Sequence, residues 1–78
     1  ILNDAIREKI RRLCESNKIS EYELAKRSGV KRNSISNFMN IKSRYLKLAT
    51  LIKIISVFDL SLSSFFSDPI FQDIEVFK

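Results

Sequence analysis

Apolar residues recur every three or four positions along most of the chain, which is the spacing of amphipathic helices. One glycine and one proline leave few of the turns that would separate β-strands. The pattern predicts an all-α fold of five helices, the last of them short. The predicted helices are Asn3–Ser16, Ser20–Ser28, Arg32–Met39, a fourth that begins near Leu48, and Ser61–Phe66.

Local signals mark several helix ends. Ser20 and Glu23 have the spacing of a capping box, in which the serine hydroxyl accepts from the amide three residues on and the glutamate bonds back. Gly29 follows the second helix, where a residue in the left-handed conformation is a favourable cap. Lys47 is a poor cap for the fourth helix, so an earlier start capped by Ser43 stays an alternative.

Each helix has an apolar side that we expect to line one core. These positions are Leu2, Ile6, Ile10 and Leu13 in the first helix, Ile35 and Phe38 in the third, and Leu48, Leu51, Ile55 and Phe58 in the fourth. Ile52 and Ile54 widen the apolar side of the fourth helix. At 78 residues, the chain makes a single domain.

The segment from Ser20 to Asn40 has the pattern of two short helices joined by a tight turn. Ala25 stands where the helices approach most closely, and Gly29 stands in the turn, where a positive φ is expected. The apolar residues that set the angle between the two helices are Leu24, Val30, Ile35 and Phe38. This spacing predicts a helix-turn-helix motif.

The opposite side of the third helix is polar. Its exposed residues are expected to be Arg32, Asn33, Ser36 and Asn37. Arginine pairs with guanine and asparagine with adenine in the major groove, whereas an ordinary exposed helix favours residues of higher helix propensity. A polar side without a binding role is the alternative. We interpret the four residues as base contacts with double-stranded DNA.

The net charge of +5 is unevenly distributed. From Lys26 to Lys47 there are seven basic residues and no acidic one. From Leu48 to Lys78, two lysines stand against four acidic residues, a net charge of −2. This distribution favours a polyanion bound by the middle of the chain over a merely soluble basic surface.

A second group of residues is expected to contact the phosphate backbone. Ser20 and Lys31 stand at the starts of two helices, whose free amides attract anions. Asn40, Lys42 and Arg44 follow the third helix and would flank the same groove. Such contacts fix the register of a protein on DNA and make its affinity depend on salt.

The composition argues against other classes of protein. Without histidine, and with Cys14 as the single cysteine, the chain cannot build a Ser-His-Asp triad, a disulfide or a Cys/His metal site. A single glycine excludes phosphate-binding glycine loops. We therefore expect no enzyme, no metal and no cofactor. There is no membrane-spanning apolar run and no signal peptide, so a cytoplasmic protein that does not bind membranes is expected.

The chain resembles the Xre family, the Cro and lambda-repressor-like helix-turn-helix domains of bacteria and phages, over about Leu2–Phe66. The matching segments are IREKIRRLCESNKIS, YELAKRSGVKRNSISNFMN and TLIKIISVFDLSLSSFF. The resemblance implies a compact five-helix lambda-repressor-like domain, with its third helix, about residues 32–39, as the recognition helix in the major groove. It also implies a transcriptional regulator that binds a pseudo-palindromic operator as a homodimer.

The resemblance also places individual residues. It puts Arg32, Asn33, Ser36 and Asn37 at base-facing positions, and backbone contacts at Ser20, Glu21, Asn40, Lys42 and Arg44. The chain departs from the family pattern at four positions. Ile41 and Leu46 replace a frequent glycine and a frequent proline in the loop after the third helix. Glu21 replaces a frequent glutamine, and Lys31 replaces the usual serine or threonine cap of the recognition helix.

Residues 1–66 are expected to form the DNA-binding domain and residues 67–78 a short tail, because Pro69 prevents simple continuation of the fifth helix. The apolar residues of the tail are Ile70, Phe71, Ile74, Val76 and Phe77. With Phe65 and Phe66, they either fold back onto the core or form a two-fold dimer interface. The tail also motivates an alternative function, an antitoxin-like or partner-docking module that keeps the fold.

Overall fold

The helices match those expected from the apolar pattern. The structure, a computed structural model, describes residues 2–40 and 46–72. In this part of the chain there are five α-helices and no strand, which confirms the all-α fold class. The helices are α1 (Leu2–Asn17), α2 (Glu21–Ser28), α3 (Arg32–Met39), α4 (Leu48–Ser56) and α5 (Leu62–Phe66), followed by a 3-10 helix (Pro69–Phe71). None of the described helices has the length and composition of a membrane span.

Serine side chains cap two of the helices. Ser20 Oγ accepts from the amide of Glu23 at 3.1 Å, and Ser61 Oγ accepts from the amide of Ser64 at 3.1 Å. Both serines therefore precede their helices instead of beginning them. The capping box expected at α2 is only half formed, because Glu23 Oε1 accepts from Arg27 Nε, one turn further along, at 2.9 Å.

The fourth helix begins where expected but buries fewer residues. α4 starts at Leu48, and Lys47 precedes it without a side-chain hydrogen bond; the alternative cap, Ser43, lies outside the described residues. The buried residues of α4 are Leu51, Ile54 and Ile55. Leu48 is 59% exposed and Ile52 45%, so placing these two in the core was wrong. Six apolar residues occupy more of the helix circumference than the packed neighbours α2 and α5 cover.

The core lies between the helices. Its buried residues are Ile6, Ile10, Leu24, Ala25, Ile35, Phe38, Leu51, Ile54, Ile55 and Phe65. Leu2, Leu13 and Phe58 are partly buried and pack against its edge. Ile35 and Phe38 are each 1% exposed and hold one side of α3 in the core. The other side of α3 therefore faces outward.

An ion pair joins the start of the tail to α1. Lys9 Nζ lies 2.7 Å from Asp68 Oδ2, and both side chains are about four-fifths buried, at 18% and 20% exposure. Asp68 Oδ1 also accepts from the amide of Ile70 at 2.9 Å and so caps the 3-10 helix. The Asp68 carboxylate thus caps the 3-10 helix and, through its ion pair with Lys9, holds this helix against α1.

Aromatic rings hold the same segment against α5. The Phe71 ring centroid lies 5.5 Å from that of Phe65 and 4.9 Å from that of Phe66. Phe65 is fully buried, whereas Phe66 is 36% exposed. Phe65 and Phe71 therefore pack on their own chain, which is one of the two alternatives left open. The further apolar residues of the tail lie outside the described residues: Ile74, Val76 and Phe77.

Candidate nucleic-acid interface

The turn between α2 and α3 sets the direction of the third helix. Gly29 has a φ of +75°, as expected, and its amide donates to Ala25 O at 3.0 Å. Apart from its chain neighbours, no atom of the described residues lies within 4 Å of a Cβ built at Gly29. Glycine is therefore favoured by backbone conformation and not by lack of space. Ser28 Oγ accepts from the amide of Val30 at 3.2 Å and closes the turn.

The polar side of α3 faces outward. Arg32, Asn33 and Asn37 are exposed, and Ser36 is half-buried. The structure thus brings the four residues predicted to contact bases to one side of a single helix, opposite the side that enters the core. Ser34 is exposed as well, although it was not among the predicted contacts.

A local hydrogen-bond pair closes the end of α3. Asn40 Nδ2 donates to Ser36 O at 2.9 Å and to Ser36 Oγ at 3.2 Å. The Ser36 hydroxyl still has its own proton to donate. The Asn40 amide group has to leave Ser36 before it can donate to a phosphate. The pair therefore leaves Ser36 available as a donor and ties Asn40 to the helix.

The start of α3 has no side-chain cap. Lys31 O accepts from the amides of Ser34 and Ile35, but the Lys31 side chain makes no capping hydrogen bond. The lysine thus replaces a local hydrogen bond with an exposed positive charge, as expected for this departure from the family pattern. The amides of the first turn and the charge of Lys31 together suit a phosphate group.

Residues Ser20 and Glu21 at the start of α2 are also exposed. Ser20 Oγ is already engaged in its cap with Glu23. Glu21 makes no ion pair with any described basic residue, so its carboxylate stands unneutralised beside the expected phosphate path. A phosphate at this place would meet repulsion from Glu21 and attraction from the helix terminus.

The side chain of Cys14 lines a pocket of about 330 Å³ between α1, the start of α2 and Met39. Burial, followed by the negative charges of Glu21 and Glu15, raises the pKa of the Cys14 thiol. The thiol therefore stays protonated at neutral pH and is a poor nucleophile. Within residues 2–40 and 46–72, no group of three or more potential metal ligands lies together.

The basic residues of the hairpin are less neutralised than those of α1. Arg11 pairs with Glu8 and Glu15, and Arg12 Nε lies 3.0 Å from Glu8 Oε2. In the hairpin, Arg27 pairs with Glu23. The exposed basic residues of the hairpin without an ion pair to any described acidic residue are Lys26, Lys31 and Arg32. Their uncompensated charge favours an external anion.

An aromatic neighbour of Arg32 was not predicted from the sequence. Tyr22, in the first turn of α2, is 57% exposed, and the Cζ atom of Arg32 lies 5.6 Å from the centre of its ring. This distance is within the range of a cation–π contact. The sequence shows an aromatic residue two positions after the Ser20 cap, but nothing in its spacing connects it with Arg32.

A buried arginine behind the recognition helix was also missed. Arg7 is 9% exposed. Its Nε donates to Phe38 O at 2.6 Å, and its Nη1 lies 2.8 Å from Asp4 Oδ1. Its guanidinium carbon lies 4.5 Å from the centre of the Phe38 ring. Arg7 thus connects α1 to the last turn of α3.

Part of the predicted backbone-contacting set lies outside the described residues. This part comprises Lys42 and Arg44, together with the departure at Ile41. Leu46 is described and is partly buried against the core, so its side chain takes a packing role at the position where the family often has proline.

The hairpin, with one side of α3 in the core and the other exposed among unneutralised basic residues, defines a DNA-binding helix-turn-helix domain. A helix-turn-helix family model matches residues 10–65, which is more than half of the chain. The protein belongs to this family, the Xre-like domains of the Cro and C1 type. The family comprises DNA-binding regulatory domains and not enzymes. No curated protein and no solved structure shows a significant match to the chain.

Proposed function

We propose that the protein is a bacterial or phage transcriptional regulator that binds a specific double-stranded DNA sequence in the cytoplasm. α3 lies in the major groove, where Arg32, Asn33, Ser36 and Asn37 contact base edges. The observation that carries this proposal is the division of α3 into two sides. One side is fixed in the core by two fully buried residues. The other side carries Asn33, Ser36 and Asn37, which can pair with bases but form helix poorly, next to an exposed arginine.

Contacts to the phosphate backbone complete the proposed interface. The described members of this set are Ser20, Glu21, Lys31 and Asn40, and Lys42 and Arg44 extend it. Lys31 has the strongest support, because its exposed charge stands at a helix start without a side-chain cap. Glu21 contributes by its amide and not by its carboxylate, unless the carboxylate accepts from a cytosine amino group.

A homodimer on a pseudo-palindromic operator is part of the proposal. Two copies related by a two-fold axis place their α3 helices in successive major grooves, about 34 Å apart. Phe65 is fully buried within its own chain, so it is not free to form the interface. Among the described residues, exposed apolar surface remains at Leu48, Ile52 and Phe66. These residues are the candidates for a contact between copies.

Selection of bound duplexes from a random pool tests the proposed function. We expect enrichment of a short pseudo-palindrome with half-sites one helical turn apart. The affinity for the enriched site should fall linearly with the logarithm of salt concentration, because each phosphate contact releases counterions. A protein that binds enriched and random duplexes equally at moderate salt would contradict the proposal.

The exposed apolar residues on α4 favour a second candidate, a protein-docking module that keeps the fold. Leu48 and Ile52 are one turn apart and together form a small apolar stripe. Charge reversal by Arg32→Glu separates the two functions, with Leu48→Glu as the matched change on α4. If DNA binding is the function, Arg32→Glu abolishes it. If Leu48→Glu abolishes the cellular function while Arg32→Glu leaves it intact, docking is the function.

A further inference from the structure

Arg32 is the first residue of α3, and its guanidinium lies over the ring of Tyr22. Its guanidinium carbon lies 5.6 Å from the ring centre. No described acidic residue forms an ion pair with Arg32. The contact also bridges the two helices of the motif, because Tyr22 belongs to α2. The Arg32 side chain therefore contacts an aromatic residue outside the recognition helix.

An aromatic face suits this task for a physical reason. An exposed arginine has many rotamers, and fixing it on one base costs conformational entropy. The ring attracts the guanidinium by its quadrupole, and a planar guanidinium held against a ring keeps its edge N–H groups free. Those are the groups that pair with O6 and N7 of guanine. The ring thus restricts the side chain without using the donors that the base requires.

We propose that Tyr22 is a positioning residue that orients Arg32 toward one guanine in each half-site and so determines specificity at that base pair. The inference rests on the proposed function and names the base class that one residue selects. Tyr22 itself is 57% exposed, so it adds little to the core and its replacement should leave the fold intact.

Two variants separate the ring from the rest of the side chain. Tyr22→Phe keeps the ring and removes the hydroxyl, whereas Tyr22→Leu keeps an apolar side chain and removes the ring. Arg32→Met supplies the matched control, because it keeps a long side chain and removes the guanidinium that contacts both the ring and the base. The quantity to measure is the ratio of affinities for the selected site with guanine and with adenine at the base pair that depends on Arg32.

We expect Arg32→Met to abolish most of the guanine preference at that base pair, because methionine has no donor for O6 and N7. Tyr22→Phe should keep the wild-type ratio, and Tyr22→Leu should lower it about two- to fivefold, as expected for loss of an exposed cation–π contact. Tyr22→Leu should have no further effect in the Arg32→Met background. In the wild-type background, Tyr22→Leu should leave binding to random duplex unchanged. A merely structural role would weaken binding to all duplexes equally.

A measurement without DNA distinguishes failure of the inference from failure of the proposed function. The ring current of Tyr22 should shift the side-chain proton resonances of Arg32 upfield in the wild type and in Tyr22→Phe, and not in Tyr22→Leu. An unchanged guanine ratio in Tyr22→Leu, a ratio that does not depend on Arg32, or absence of the ring-current shift would each overturn the inference. If the wild type binds selected and random duplexes equally, the proposed function is overturned instead.

Discussion

The charged side chain of Arg7 is buried, so it needs hydrogen-bond and ion-pair partners to offset its loss of hydration. It finds them at the carbonyl and ring of Phe38 and at the carboxylate of Asp4. Phe38 belongs to the last turn of α3, so these contacts hold the recognition helix from behind. A residue that never faces the DNA thus contributes to the position of those that do.

Replacement of Arg7 by methionine should lower the free energy of unfolding by about 1–3 kcal/mol, because Phe38 O loses a buried donor. Urea unfolding at neutral pH measures the effect. Arg12→Met is the matched control on the same helix. Arg12 is exposed and pairs with Glu8, and the change should be within about 0.5 kcal/mol. Equal effects of the two substitutions would contradict the anchoring role of Arg7.

Neither Arg7 nor the contact between Tyr22 and Arg32 was predictable from helical spacing. The hydrogen bond from Arg7 joins residues 31 positions apart in the chain. Periodicity assigns a residue to one side of its own helix, but it does not show which atom of another helix that side meets. Arg7 follows Ile6 directly and would be placed in solvent by the same argument that placed Ile6 in the core.

At the scale of elements, the hairpin is set by the turn at Gly29. Its φ of +75° lies in the left-handed region, which costs energy for residues with a Cβ, while the space around a Cβ is open. Conformation and packing therefore make separable demands at this residue. The hairpin requires the left-handed backbone conformation at Gly29 and does not require the small size of glycine.

Gly29→Ala should lower the free energy of unfolding by about 1–2 kcal/mol, the cost of placing a residue with a Cβ in this conformation. Gly29→Asn should cost less, because asparagine tolerates the left-handed region. Thermal or urea unfolding of the two variants checks the order. If asparagine is as damaging as alanine, the demand at this residue is for space and the argument from φ is wrong.

The elements differ in how well their sequence predicts them. α3 was predicted at both ends, because Gly29 closes the turn before it and its apolar residues are few enough to define one side. For α4 the start was predicted and the buried side was not. Its six apolar residues exceed what its neighbours cover, and the sequence does not show which of them the neighbours reach.

At the scale of the whole molecule, the ion pair of Lys9 and Asp68 joins the two ends of the described fold. The hydrogen bond from Lys9, followed by that from the amide of Ile70, holds the pKa of Asp68 below its ordinary value. A carboxylate whose pKa is lowered on folding stabilises the protein above its unfolded pKa, about 3.9. That contribution is lost as the pH falls through the lower pKa of the folded state.

Asp68→Asn should therefore be less stable than the wild type at neutral pH, and the difference should shrink as the pH falls below about 4. The asparagine oxygen can still accept from the amide of Ile70, so the substitution chiefly removes the charge. Unfolding at a series of pH values measures the difference. In the Lys9→Met background the same substitution should depend less on pH. A difference that is constant with pH would show that the charge does not contribute.

The central claim is that the exposed side of α3 determines which DNA sequence is bound. Its most direct test is selection of duplexes from a random pool with the wild type, Asn33→Ala and Asn37→Ala, and with Lys31→Ala as the control. Each asparagine variant should lose about 1–3 kcal/mol of preference at its own base pair and keep it elsewhere. Lys31→Ala should keep every preference and reduce the salt slope by about 1. Base preferences identical to the wild type in both asparagine variants would contradict the claim.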